Sequence, residues 1–192
     1  SYTQLSESSE PITIALDSTG VKVEKAGGWV ERKHGKKKRY VKLHFAVNTV
    51  THEVVSMEVS TDDVHDSKVA VSLIVGAGSR AEVEESLGDG AYDSGEIYEE
   101  LEKRGIEAVI KPRENARTDT GSLSRSLAVG MILELDYDTW AETVGYGRRW
   151  AVETAYSTFK RLFGESALGR RLDSISVELA LKVMFYNRLV NM

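Results

Sequence analysis

Three acidic side chains stand where acids are uncommon, and their types suit one kind of chemistry. Asp17 closes the apolar run "ITIALD" at residues 12–17, Asp89 lies between Gly88 and Gly90, and Glu153 sits inside "GYGRRWAVETAYSTFKRLFG", residues 145–164. Each has an ordinary structural use. Asp17 can cap the turn "DSTG". The glycines beside Asp89 can simply make a turn. Glu153 can pair with Arg149, four residues earlier. Brought together, three carboxylates offer hard oxygen ligands to Mg²⁺, which keeps several waters and also takes substrate phosphate. Two such ions stabilise the attacking and leaving oxygens of an in-line phosphoryl transfer.

Glu153 also belongs to a row. Tyr146, Arg149, Glu153 and Lys160 stand at offsets of 0, 3, 7 and 14. On an ideal helix they point to roughly 0°, −60°, −20° and −40°, one stripe about 21 Å long. Ala151, Ala155, Phe159 and Leu162 cluster on the opposite side and can bury against a sheet. Arg148 falls on that apolar side, which predicts a helix start after Gly147 and places Tyr146 in the turn before it. Alone, the row reads as a wet helix face. Beside Asp17 and Asp89, its Tyr, Arg and Lys can hold a nucleic-acid backbone in register, with affinity that falls as salt rises.

The formal net charge of −5 argues against nucleic acid, but the distribution does not. "RKHGKKKRYVK", residues 32–42, holds seven basic residues and no acid, among them Lys36, Lys37, Lys38 and Arg39. Arg148, Arg149, Lys160, Arg161, Arg170 and Arg171 add a second basic segment, while the acids concentrate in "AEVEESLGDG" and "EIYEELEKRGIE". A single basic run is ordinarily a solvated face; two of them build a local potential that outweighs the total. Cysteine is absent, which excludes disulfides and thiolate metal sites and fits a reducing cytoplasm. No apolar run approaches the ~18 residues of a membrane span, and no signal peptide opens the sequence. His34, His44, His52 and His65 form no ligand-spaced cluster, although His65 precedes a helix beside Asp66 and could orient the site's edge. Trp29, Trp140 and Trp150 read as packing residues.

These side chains need a scaffold. "ITIALD" predicts a buried strand, and residues 18–38 read as a long loop. "YVKLHFAV" and "EVVSMEVS" alternate around a turn, completing three antiparallel strands. "HDSKVAVSLIVGAG" predicts a helix capped by Asp66 or Ser67. "VEESLGD" is a short strand ending at Asp89. "SGEIYEELEKRG" is a helix capped at Ser94 and stopped by Gly105. "IEAVIKP" is a further strand. Asp66 and Asp93 read as helix-start residues. Residues 113–130 read as a polar loop, "MILELDYD" as undecided, and the last two segments as helices, the final one packing broadly on the core. The expected fold is α/β, a mixed sheet of three antiparallel strands followed by β/α units, with helices on both faces. Residues 1–11 form a lead-in to one domain at 12–192, with a short polar insertion around 112–140.

Together these segments resemble a known family. Tyr146, Arg149, Glu153 and Lys160 meet the pattern Tyr-x2-Arg-x3-Glu-x6-Lys without a gap, and "ALDSTGVKV", "HDSKV", "GDGAYDS" and "IKPRENA" come in the family's order. The chain resembles the DDE transposases of bacterial and archaeal insertion sequences, from about residue 12 onward. The resemblance implies a ribonuclease H-like fold. It implies that Asp17, Asp89 and Glu153 bind two Mg²⁺ or Mn²⁺ ions. It implies that Tyr146, Arg149 and Lys160 contact transposon-end DNA. The reaction would be nicking at the element end, then attack of the 3′-OH on target DNA, by a cytoplasmic, prokaryotic protein that works as a homodimer on paired ends. Only 16 residues precede Asp17, where the family's full-length members carry a DNA-binding region, and only 63 separate Asp89 from Glu153, too few for the large β-strand insertion of some relatives. A separated catalytic domain, a truncated element or a host-captured remnant would each fit. The rival functions are a catalytically silent DNA-binding remnant that keeps Arg149, Lys160 and the "KHGKKKR" segment, a nuclease of the same fold, and a carboxylate-pair hydrolase.

Overall fold

The computed structural model of the 192-residue chain describes residues 10–24, 40–119 and 122–192. Most of the lead-in, Trp29, and the basic residues Lys36, Lys37, Lys38 and Arg39 lie outside those described residues.

The alternating runs form the expected antiparallel meander. β1 (Ile12–Val23) pairs with β2 (Tyr40–Asn48), and β2 pairs with β3 (Val54–Thr61), placing Asp17 opposite Phe45 and Phe45 opposite Met57. β4 (Val83–Gly88) then joins β1 in parallel, and β5 (Glu107–Ile110) joins β4 in parallel. The order is β3-β2-β1-β4-β5, with the short β6 (Ser166–Ala167) beside the far end of β1. A three-stranded meander whose first strand opens a parallel series is the ribonuclease H-like sheet.

β1 corrects the predicted boundary after Asp17. The strand continues because Val21 and Val23 keep the alternation and are buried, and the ladder to β2 runs on through Lys22 and Tyr40. Asp17 is therefore within a strand. It still lies where the parallel pairing stops, since the last β1–β4 pair is Ala15 with Leu87. Two residues further along each chain stand Asp17 and Asp89. Neighbouring strands are about 4.8 Å apart, so register alone brings the two aspartates to adjacent positions.

Among the described residues the helices are α1 (Asp66–Gly78), α2 (Gly95–Arg104), α3 (Leu123–Glu134), α4 (Tyr137–Thr143), α5 (Trp150–Phe163) and α6 (Leu172–Val190). The two-residue period of β1 assigns them to faces. Ile12, Ile14 and Leu16 bury against α1 and α2, through Leu73, Ile74, Ile97 and Leu101. Ala15, Val21 and Val23 bury on the opposite face, with Val152, Phe159, Leu179 and Val183 of α5 and α6. Asp17 shares that second parity, so it looks toward α5. α2 stops as predicted at Gly105, whose φ of 68° suits glycine. Ser94 holds its N-cap position without a side-chain bond. α1 differs: His65 is the N-cap and accepts from the Ser67 N–H, leaving Asp66 as the first helical residue.

The polar segment read as a loop, residues 113–130, is helical from Leu123 onward. Ser122 caps α3 by accepting from the Arg125 N–H, and Asp136 caps α4 by accepting from the Asp138 and Thr139 N–H groups. What orders it is Arg125. Its Nε and Nη2 donate to the buried Asp93 carboxylate at 2.6 and 3.0 Å, and the Arg113 N–H also donates there at 3.0 Å. Asp93 is thus the anchor of the insertion, not a helix cap. The undecided "MILELDYD" spans the end of α3 and the start of α4, and the segment carries no β-strand among its described residues.

α6 packs on one side only, against the broad packing its composition predicts. Val177, Leu181, Phe185 and Leu189 face outward. The inner side is fixed by Asn187, whose side chain accepts from the Val54 N–H at 2.8 Å and donates to the Val54 carbonyl at 2.9 Å. It occupies the position of a missing strand at the β3 edge. Asn187→Leu keeps the bulk but leaves both Val54 groups buried without partners. The expected loss is about 2–4 kcal/mol, read as a lower urea midpoint at constant m-value. An unchanged midpoint would show that these bonds do not hold α6 to the sheet.

Candidate active site

The parallel strands β1, β4 and β5 end at one edge of the sheet, where open α/β sheets place their chemistry. Asp17 arrives on β1. Asp89 follows β4 and caps a 3₁₀ turn, Gly90–Tyr92, by accepting from the Ala91 N–H at 2.8 Å. Gly88 lets that turn fold back: a Cβ there would stand 3.1 Å from the Tyr92 Cβ. Glu153 lies in the first turn of α5. One helical turn on, the Tyr156 hydroxyl donates to the Asp17 carbonyl at 2.7 Å and the Leu43 carbonyl at 3.0 Å. That bond ties the helix carrying Glu153 to the strand carrying Asp17.

The electrostatics show that the three acids share a neighbourhood. Burial pushes the Asp17 carboxyl up to about 6. The Ser18 N–H and Arg149 pull it down, while the Asp89 and Glu153 charges push it up further. Arg149 lies between two of them. Its Nη1 is 3.5 Å from Asp17 Oδ2, its Nη2 pairs closely with Glu153 Oε1, and its guanidinium stands 5.9 Å from the Tyr146 ring centroid. Nearby, the Tyr92 hydroxyl is buried without a hydrogen-bond partner among the described residues. Burial, then the charges of Asp17, Asp66 and Asp89, hold that phenol far above its ordinary range. Among the described residues no three His, Asp or Glu side chains are drawn tightly enough to cage a metal ion. The acids form an open, oxygen-only set.

The predicted row is split by the fold. Tyr146 and Arg149 belong to a 3₁₀ turn, Tyr146–Arg149, and α5 begins at Trp150, so the four residues are not one helical stripe. Tyr146 is buried. Its ring lies 5.0 Å from Trp140 and 6.5 Å from Tyr137, and its hydroxyl donates to the Gly88 carbonyl at 3.3 Å. Burial raises this phenol to about 12. Tyr146 therefore braces the strand end that presents Asp89. Lys160 sits half-buried in the last turn of α5, about 10 Å along the axis from Glu153. The apolar face is also rotated: Val152 and Tyr156 are buried, and Leu162 is exposed. Trp140 packs as expected, whereas Trp150 is exposed. His44 is buried on Ser60 and His65 caps α1, so both serve the fold.

Two clusters were missed in the sequence. Arg148 donates to both Glu85 oxygens, with 2.8 Å for Nη2 to Oε1, and to the carbonyls of Gly145 and Val144 at 3.0 Å each. Glu85 also accepts from the Thr13 hydroxyl at 3.1 Å. The signal was the position of Arg148 on the apolar side of the helix projection, where a guanidinium needs an acid; its partner Glu85 is buried while Arg148 itself stays 42% exposed. The other cluster is Asp66, which accepts from Lys42 at 2.9 Å and from the Ser18 hydroxyl at 3.1 Å. Its signal was topological. β3 runs in the direction of β1, so the helix that follows β3 begins at the edge that holds Asp17.

A family model described as the transposase DDE domain matches residues 8–188. Among solved structures, a chain of the simian T-cell lymphotropic virus intasome, in complex with PP2A regulatory subunit B56 gamma, is 17% identical with a TM-score of 0.39. The match covers 83% of this chain and 52% of that one, so the chain spans about half the length of that relative. The HTLV-2 integrase catalytic core domain, in complex with magnesium and in its dimeric form, is also 17% identical with a TM-score of 0.39, over 85% of this chain and 94% of that one. With the family match running from before β1 to the last turns of α6, and the acids at the sheet edge in the order the family's name spells, the chain belongs to the transposase DDE domain family.

Proposed function

We propose that this chain is the catalytic domain of a DNA transposase, nicking transposon ends and joining the freed 3′-OH to target DNA by metal-dependent phosphoryl transfer. The observation that carries the reading is the convergence of Asp17, Asp89 and Glu153, from three separate elements, on one sheet edge, where the charges of Asp89 and Glu153 both raise the cost of ionising Asp17. Their chemistry fits a hard divalent cation: all donors are oxygens, and two of the three carboxylates, Asp17 and Glu153, share a single arginine. An open set suits Mg²⁺, which keeps waters and shares its shell with substrate phosphate. Asp17, Asp89 and Glu153 would hold two Mg²⁺ or Mn²⁺ ions, which stabilise charge on the attacking and leaving oxygens.

The remaining residues position the DNA. Arg149 and Lys160 take backbone phosphates, and the basic residues Lys36, Lys37, Lys38 and Arg39 add further phosphate contacts. Tyr146 serves indirectly, by holding Gly88 and hence Asp89 in place. The Tyr156 bond to Asp17 fixes the helix and strand against each other while the substrate loads. The partner is DNA, with a homodimer on paired ends, in a prokaryotic cytoplasm. No described helix is long and apolar enough to cross a membrane.

Asp17→Asn, Asp89→Asn and Glu153→Gln should each lower Mn²⁺-dependent nicking of supercoiled plasmid by more than about a hundredfold, beyond what loss of an outer-shell partner costs. Variants that nick at the wild-type rate would remove the carboxylates from the chemistry. Lys160→Ala should weaken DNA binding evenly across sequences and reduce the salt slope by about 1, measured by fluorescence anisotropy at several salt concentrations.

Asp17→Asn carries a second signature in EDTA. The native carboxyl titrates near 6, above its ordinary value of 3.8, so the folded state holds the proton more tightly than the unfolded state. Wild-type stability therefore falls as pH rises between those values and levels off above them. The neutral asparagine escapes that loss. The variant should be more stable than wild type at pH 8, by at most about 3 kcal/mol, and the gap should close toward pH 4. A thermal-melt series with a constant gap would contradict the raised carboxyl.

A further inference from the structure

Arg148 and Arg149 are neighbours in sequence with opposite bonding. Arg148 is held by both Glu85 oxygens and two backbone carbonyls. Moving it would leave the buried Glu85 carboxylate with the Thr13 hydroxyl but no counter-charge. Arg149 is held by two carboxylates and one ring face. Its contact with Asp17, at 3.5 Å, is well beyond the roughly 2.7–2.9 Å of a strong charged hydrogen bond. The three side chains are only partly shielded, with Arg149 17%, Asp17 24% and Glu153 35% exposed. The oxygens that Arg149 covers belong to two of the three acids assigned to metal.

We propose that Arg149 is an internal counter-cation that competes with the divalent ion, and that DNA phosphate releases it. This rests on the reading of Asp17, Asp89 and Glu153 as metal ligands. In the free protein the guanidinium neutralises two crowded carboxylates, and the ion must displace it. A DNA backbone phosphate, a monoanion like each carboxylate, offers Arg149 a bidentate oxygen partner outside the acid cluster, while the divalent ion takes over the neutralisation of Asp17 and Glu153. The arginine then turns to the backbone, and the oxygens of Asp17 and Glu153 become available. Metal and DNA binding are thereby positively coupled through one side chain, and the coupling is reciprocal. The 3₁₀ turn makes this possible: Arg148 clamps its backbone to β4, so only the side chain of Arg149 has to move.

The test is Mn²⁺ affinity by titration calorimetry, which needs no turnover. Wild type, Arg149→Gln, Arg149→Lys and Glu153→Gln are compared, each with its fold checked by circular dichroism, without DNA and with a short DNA duplex of fixed sequence. Without DNA, Arg149→Gln should bind Mn²⁺ about tenfold more tightly than wild type. Arg149→Lys should fall between them, because a single ammonium cannot span both carboxylates. The duplex should tighten Mn²⁺ binding to wild type and change Arg149→Gln much less. If Mn²⁺ binds with an affinity that depends on Glu153 but is equal in wild type and Arg149→Gln, the competition is refuted while the carboxylate site stands. If no variant shows Mn²⁺ binding that depends on Glu153, the metal reading falls and this inference with it.

Discussion

The structure depends on keeping one ionisable acid where its surroundings disfavour its charge. Asp17 sits within the central strand, bonded on one side to β2 and on the other to β4, with Asp89 and Glu153 near enough to raise its carboxyl. Three acids at one edge repel each other, and burial removes the water that would screen them. They stay together because their backbones are fixed by groups that do no chemistry. Tyr156 bonds the Asp17 carbonyl, Tyr146 bonds the Gly88 carbonyl, and Arg148 joins the turn before α5 to Glu85 on β4. Each brace crosses between elements that carry different acids. Local strain at the site is thus offset by bonds next to it.

This explains why two adjacent arginines differ so much. A turn that is to present a movable cation needs an immovable backbone. Arg148 supplies that by donating from its side chain to Glu85 on β4 and to the Val144 and Gly145 carbonyls at the start of the turn. The exposed neighbour on the other side, Trp150, starts α5 without a side-chain cap. The start of α5 is therefore held by tertiary bonds and by little local propensity.

Much of this was legible in the sequence, and the limits have physical causes. The alternation in β2 and β3, the helical spacing of α1 and the Gly105 stop were all read correctly, because burial imposes those periods directly. The positions of Asp17 and Asp89 at one edge follow from strand order. The end of β1 was misjudged because Thr19, Gly20 and Lys22 look like loop, while the pairing with β2 that overrides them is non-local. The turn expected before the helix at Tyr146 is there, but it is 3₁₀, follows Gly145 at φ of 62° and runs on to Arg149, so angles taken from an ideal α-helix do not place the row. Tyr146 and Arg149 still reach the site, by a different geometry. Offsets in a sequence survive a change of helix type better than angles do.

The insertion between β5 and α5 was the least legible part, and it shows what polar composition conceals. Its arginines and serines read as solvated, and most are. One is not: Arg125 reaches the fully buried Asp93 carboxylate, four residues beyond Asp89. Opening such a pair leaves a buried charge alone, typically at about 3–5 kcal/mol, so α3 is fastened to the turn that carries Asp89. Arg113 closes the same turn from the end of β5, its Nε donating to the Gly90 carbonyl at 2.9 Å and its N–H to Asp93. The glycines beside Asp89 would leave the turn loose by themselves. The insertion supplies the rigidity they lack, so it belongs to the scaffold of the acid cluster.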